Sequence, residues 1–516
     1  MALVLADSRV WVERDQARYS SEPPFDPSES YPELRATPVS ASDNPAYRCV
    51  RALLRRMGMD AERFGSAEWD PLRDIVQPGQ TVVLKPNLVT HFNHGSARGL
   101  VDTDSLVTHG SVVRAVADYA AKALGTDGRL IICDCPLQGT DWDSVVRLTG
   151  LDSVVAYLQT AHPTLQIDLV DYRLGTATVR RGRIVERHVD ETRRCAYDEV
   201  DLGASSLLAA FAREGGSFGV TQYGFKRMQA AHTGEVNKYL IPRDVLEADA
   251  FINLPKLKTH MKTGVTGALK NLVGINGHKD YLPHFRLGSP RTGGDEYPDG
   301  NWWWDLTWNL THREWELDGG RLKSLLAFAA RACRRASPFV GGADATRFQL
   351  GGGSWSGNDT AWRMTLDINK ALFYYDRDRR RVTTDPWPDL KYLTIVDALV
   401  AGEGAGPLSP SPVAAGCMMS ANNPVALDTA AAALMGFDPA RLRMVAGGYR
   451  MEGLPLVAFP PEAVEICCEE ATYSVASLPE GRILGRFEPW VGFQGEIEKH
   501  LNQEPGPSGP GRRLGP

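Results

Sequence analysis

Four short apolar runs constrain this chain more than any other feature: TVVL at 81–84, LIIC at 130–133, FINL at 251–254 and LTIV at 393–396. Each is too short for an ordinary helix and is rich in β-branched or large apolar residues. Runs of this kind suit strands buried on both faces, as parallel sheets require. Between the first two, Val112, Val113, Val116, Tyr119, Ala120 and Leu124 follow a helical period, with Thr108 as the expected cap. Strand, helix and strand in that order predict a right-handed parallel βαβ unit. Each run stops at or beside a charged residue: Lys85, Asp134, Lys256 and Asp397. Ligands of open α/β sheets bind beyond the carboxyl ends of the strands. Four strands of one cleft would therefore floor it with two lysines and two aspartates. The plainer alternative is that strand ends meet water and carry charge there.

The stretch Phe251–Arg286 stands out within a chain of formal net charge −6. It holds five Lys, one Arg and three His against a single acid, Asp280. The strand FINL is expected to feed a cationic loop, Lys256, Lys258, His260 and Lys262, and then a helix. Val265, Ala268, Leu269, Leu272 and Val273 keep one helical face, Thr263 is the expected N-cap, and Lys270 lies on the loop side. Clustered cations at a helix N-terminus form an anion site.

The remaining chain is read as an α/β protein, two-lobed, with mainly parallel sheets flanked by helices and irregular aromatic-rich insertions. Residues 1–43 read as an irregular surface segment, 44–480 as the core with an insertion at about 284–365, 481–501 as a C-terminal segment, and 502–516 as a disordered tail. Helices are expected at Pro45–Met59, in 141–162, at Pro242–Ala248, Trp362–Tyr374 and Val425–Met435, and a hairpin turning at 181–183. Leu322–Arg335 is expected as a helix turning Leu325, Leu326, Phe328, Ala329 and Ala332 inward, after an irregular aromatic segment, 287–320. No start resembling a secretory signal and no apolar run long enough to span a bilayer is seen, so a cytoplasmic protein is expected. Net acidity argues against nucleic-acid and membrane partners, leaving an anionic small molecule; the oligomeric state stays open. The eight Cys form no CxxC pair and read as reduced thiols.

The segments VLKPNL, INLPKLKTHMKTGVTGALKNLVGINGHK, LTIVDALVAGEGAGP and NNPVALDTAAAALMGFDP together resemble the domain-of-unknown-function 362 family (DUF362), over roughly residues 75–440. That resemblance implies no assigned reaction. Many members carry a ferredoxin-like segment with two iron–sulfur clusters; the cysteine runs for it are absent here, so no such cluster is expected. The blocks GGDEYP and GSWSGNDTAWRMTLDIN resemble a branch linked to bacterial saccharide or secondary-metabolite gene clusters.

Within this framework Lys85, Asn87, Lys256, Lys258, Thr259, Lys262, Thr263, Lys279 and Arg363 are the candidate ligand-binding residues. His260, His278 and Lys270 are the candidates for proton transfer or covalent chemistry, since a lysine among cations loses basicity. Asp134, Asp397 and Glu403 could hold Mg²⁺ or Mn²⁺ beside an anion, or simply cap a turn. Asp359 reads as an N-cap. Trp302, Trp303, Trp304 and Trp308 read either as core or as a sugar-stacking platform. These residues favour an enzyme acting on a phosphorylated or carboxylated molecule, of reaction class left open. A redox accessory that docks an iron–sulfur partner, or an anion-binding regulatory module, is the alternative.

Overall fold

A computed structural model describes residues 3–499 apart from 96–102, 181–182, 299–300, 318–319, 341–348 and 386–389. The turn at 181–182 and the tail expected to be disordered lie outside the described residues. Twelve strands form the main sheet: β1 (Arg9–Arg14), β2 (Thr81–Pro86), β3 (Arg129–Asp134), β4 (Gln166–Asp171), β5 (Ala250–Leu254), β6 (Lys256–His260), β7 (Gly264–Thr266), β8 (Lys391–Ala405), β9 (Ser409–Val413), β10 (Cys417–Ala421), β11 (Glu465–Cys467) and β12 (Thr472–Ser474). The spatial order is β12-β11-β1-β10-β8-β5-β2-β3-β4, with β6 and β9 also pairing with β8, and β7 with β6. The central ladder β8-β5-β2-β3-β4 is parallel throughout. The four apolar runs thus lie side by side in one sheet.

Alternation along these strands builds the two cores. Val83, Ile131, Phe251 and Val396 face one cluster, while Val82, Leu84, Leu130, Ile132, Ile252 and Ile395 face the other. Successive side chains of a strand point to opposite faces, so a run apolar at every position needs cover on both. Helices α1 (Pro45–Arg56), α2 (Gly110–Leu124), α3 (Trp142–Thr149) and α4 (Leu151–Ala161) cover one face. Helices α8 (Ala361–Phe373) and α9 (Pro424–Leu434) cover the other, after α5 (Ala268–Asn271), α6 (Trp302–Trp315) and α7 (Arg321–Val340).

Several expectations are corrected. Residues 9–14 are a strand between β10 and β11, not part of an irregular wrapping segment. The His109 ring, not Thr108, caps α2 by accepting from Ser111 N–H; Thr108 Oγ1 donates instead to the Leu254 carbonyl at 2.6 Å. The aromatic segment contains α6, and Trp304, Trp308 and Trp315 form a small core with Phe225, Phe285 and Tyr297. Helix α7 is rotated from its expected orientation: Ala327 and Ala330 are buried, whereas Leu325 and Phe328 are 62% and 70% exposed.

Candidate functional site

The cationic stretch is not a loop leading to a helix. Its first half is strand β6, which pairs with β8 so that Lys256 sits opposite Asp397 and Lys258 opposite Gly402. After Gly264, at φ +82, the chain folds back as β7 against β6. Thr263 therefore caps nothing; its Oγ1 donates to the Val265 carbonyl. The single turn α5 begins at Ala268, and the Asp428 carboxylate on α9 accepts from Ala268 N–H at 2.6 Å and Leu269 N–H at 3.1 Å. Gly267 is required there, because a Cβ would lie 2.1 Å from Asp428 Oδ1. Burial pushes the Asp428 carboxyl up to about 7.

The four charged strand ends converge, as two closed ion pairs. Lys85 Nζ lies 2.6 Å from Asp134 Oδ1, and Lys256 Nζ 2.7 Å from Asp397 Oδ2, all four side chains being buried. Asp134 Oδ2 also accepts from Leu88 N–H and Oδ1 from Cys135 N–H. Gly274 leaves room for the first pair, since a Cβ there would lie 2.6 Å from Lys85 Nζ. Asp397 accepts from the Tyr19 hydroxyl at 2.5 Å and from His109 N–H at 3.0 Å. Tyr19 and His109 stack with centroids 4.1 Å apart, and burial, then the nearby Lys256 charge, hold His109 down at about 3. Neither residue carried a local signal; both come from segments remote in sequence.

Asn87 and Asn271 link Lys85 of the first pair to Lys258. Lys258 Nζ donates to Asn87 Oδ1 at 3.2 Å and to the Leu106 and Pro407 carbonyls. Asn87 Nδ2 and Lys85 Nζ both donate to Asn271 Oδ1. Burial, reinforced by Lys256, holds the Lys258 ammonium well below its usual basicity. Thr259 Oγ1 is tied to the Gly404 carbonyl.

Beyond these pairs lies a second group of cations. Lys270 is 9% exposed and, among the described residues, has no hydrogen-bond or ion-pair partner. Burial, with the charges of Lys279 and Lys262, brings it down to about 7. Lys262 falls to about 8 through burial, offset in part by Glu296 and Asp295, and donates to the Gly352 carbonyl. Burial lowers Lys279 as well. His260 and His284 are held well below their usual range by burial and then by Lys270, so both rings are neutral; each uses Nδ1 locally, toward Lys262 N–H and the Leu282 carbonyl. Lys262 and Thr263 also line a pocket of about 160 Å³ with Trp355, Trp362, Arg443 and Phe493.

Other candidates lie elsewhere. His278 accepts from Asp280 N–H and lines a separate pocket of about 320 Å³ with Arg194, Glu199 and Arg227. Arg363 pairs with Asp359 at 3.0 Å, and Asn358, not Asp359, caps α8 by accepting from Thr360 and Ala361 N–H. Glu403 accepts from Glu488 N–H, six positions along β8 from Asp397. The three carboxylates considered for a divalent ion are each held by protein donors, and among the described residues no group of three His, Cys, Asp or Glu side chains is arranged to hold a metal ion.

The fold and this site define an α/β protein whose mainly parallel mixed sheet carries buried lysines at its strand ends. Residues 208–433, which include β5 and most of α9, match the family described as Domain of unknown function (DUF362). The match is narrower than the resemblance read from the motifs, leaving β2 to β4 outside it. No curated protein matches the chain. Two solved structures show partial similarity. One is a structural-genomics crystal structure from Thermotoga maritima, at 9% identity, TM-score 0.29, covering 71% of this chain and 54% of that one. The other is the lactate racemase apoprotein from Thermoanaerobacterium thermosaccharolyticum, at 10% identity, TM-score 0.29, covering 79% and 55%. The chain thus spans about half the length of each.

Proposed function

We propose that Lys262, Lys270 and Lys279 bind the anionic group of a phosphorylated or carboxylated small molecule, and that the protein is an enzyme in which Lys270 exchanges a proton with it. The supporting observation is the Lys270 amine: enclosed, without a partner among the described residues, and surrounded by cations. Buried charges are ordinarily paired, so a buried lysine with no partner among the described residues suits an incoming counter-charge. An amine poised near pH 7 is matched to general acid–base work, and the neutral rings of His260 and His284 stand beside it. The tryptophans of the 160 Å³ pocket suit the ring of a sugar attached to that anion.

A thermal-shift panel of inorganic phosphate, sugar phosphates and carboxylates tests this reading, with and without Mg²⁺ and Mn²⁺, since phosphorylated ligands commonly carry a hard cation. A ligand at a hundred times its dissociation constant stabilises by about 2.7 kcal/mol. Wild type should shift and Lys270→Met should not. Equal shifts in both proteins, or none in wild type, would remove the assignment.

A further inference from the structure

Helices α6 and α7 carry five of the ten exposed large apolar side chains found among the described residues: Trp302, Leu306, Leu322, Leu325 and Phe328. On α7 the small residues Ala327 and Ala330 turn inward, and α6 and α7 pack on each other. Leu322, Leu325 and Phe328 recur at spacings of three, so they share the opposite, outward face. That helix has five basic residues and no acid: Arg321, Lys323, Arg331, Arg334 and Arg335. Arg321, Arg331 and Arg335 are exposed beside the apolar face, while Arg334 is turned to Trp308 and Thr311 of α6. The acidic whole-chain balance is therefore inverted along this helix.

We propose that this helical hairpin seats the protein on the surface of an anionic lipid bilayer. Leu325 and Phe328 would enter the acyl boundary, with the arginines at headgroup level. An apolar stripe bordered by Arg and Lys is the pattern of helices that lie in that interface. A second copy of the chain fits less well, because a two-fold contact through α7 would set arginines against arginines. Nucleic acid would satisfy the arginines but give Leu325 and Phe328 nothing to enter. No helix of the described residues is long and apolar enough to cross a membrane, so the contact is a surface one.

The test is co-sedimentation of the full chain with vesicles of phosphatidylcholine alone and of phosphatidylcholine with phosphatidylglycerol. Binding should require the anionic lipid and weaken with salt. Leu325→Glu/Phe328→Glu and Arg331→Glu/Arg335→Glu should each weaken it at least about tenfold, with unchanged circular dichroism, since these side chains are exposed. No sedimentation, equal binding to both vesicle types, or binding unaffected by either double variant would overturn the proposal. So would light scattering that shows a dimer which Leu325→Glu/Phe328→Glu dissolves, because that face would then belong to a second copy.

Discussion

Two sets of lysines from one stretch of sequence end in opposite circumstances. Lys256, with Lys85 from β2, meets a buried aspartate at contact distance. Lys270 instead meets the charges of Lys262 and Lys279 and has no carboxylate partner among the described residues. The first set ties neighbouring strands together; the second stores unfavourable charge. Sequence proximity therefore says little about which lysine is structural and which is available to a ligand.

The comparison is most sharply broken at Lys256. Lys256→Met should cost about 3–5 kcal/mol in urea unfolding, because Asp397 is left buried and uncompensated. Lys256→Met/Asp397→Leu should regain only part, since the Tyr19 hydroxyl and His109 N–H lose their acceptor. A loss below about 1 kcal/mol for the single variant would show that the pair does not carry the strand junction. Lys270→Met should behave oppositely: the unliganded protein gains stability at pH 7, while the ligand-induced stabilisation of about 2.7 kcal/mol disappears. If unliganded Lys270→Met were instead the less stable protein, Lys270 would belong with the structural set.

Asp428→Ala should cost about 1–3 kcal/mol by leaving two buried amides without an acceptor, and Asp428→Asn should cost less. Equal losses in the two variants would mean that the amides are not what the carboxylate serves. The smallest effect is a proton count. Lys270 falls from 10.5 to about 7 on folding, so between those values the unfolded chain binds more protons and this group makes stability rise with pH. A bound anion reverses the depression. Calorimetry at pH 8.5 in two buffers of different ionisation enthalpy should therefore detect proton uptake with phosphate; release instead would place the anion away from Lys270.

Much of the sheet was legible because period-two burial leaves a plain trace: runs apolar at every position must be covered twice. The convergence of Lys85, Asp134, Lys256 and Asp397 followed from strand polarity. Their pairing did not, because it depends on the register that sets Lys256 opposite Asp397. Val265 to Val273 imitate a helical face, yet Gly267 interrupts it and Val265 pairs with Thr259 across β6 and β7. The orientation of α7 was misread for a related reason. Close approach to α6 selected its alanines for the interface, which residue hydrophobicity alone does not reveal. Asn271, next to Lys270, gives no sign in the sequence that its amide accepts from Lys85 and Asn87 across the sheet.

Strand β1 lies between β10 and β11, and Tyr19, a few residues later, caps the Lys256–Asp397 pair. The ribosome thus releases this segment long before either neighbouring strand exists. A nascent chain must carry an unpaired sheet edge through most of synthesis, and closure waits for residues beyond 460. Fusions or deletions at the amino end would act less on the neighbouring surface than on the last step of assembly.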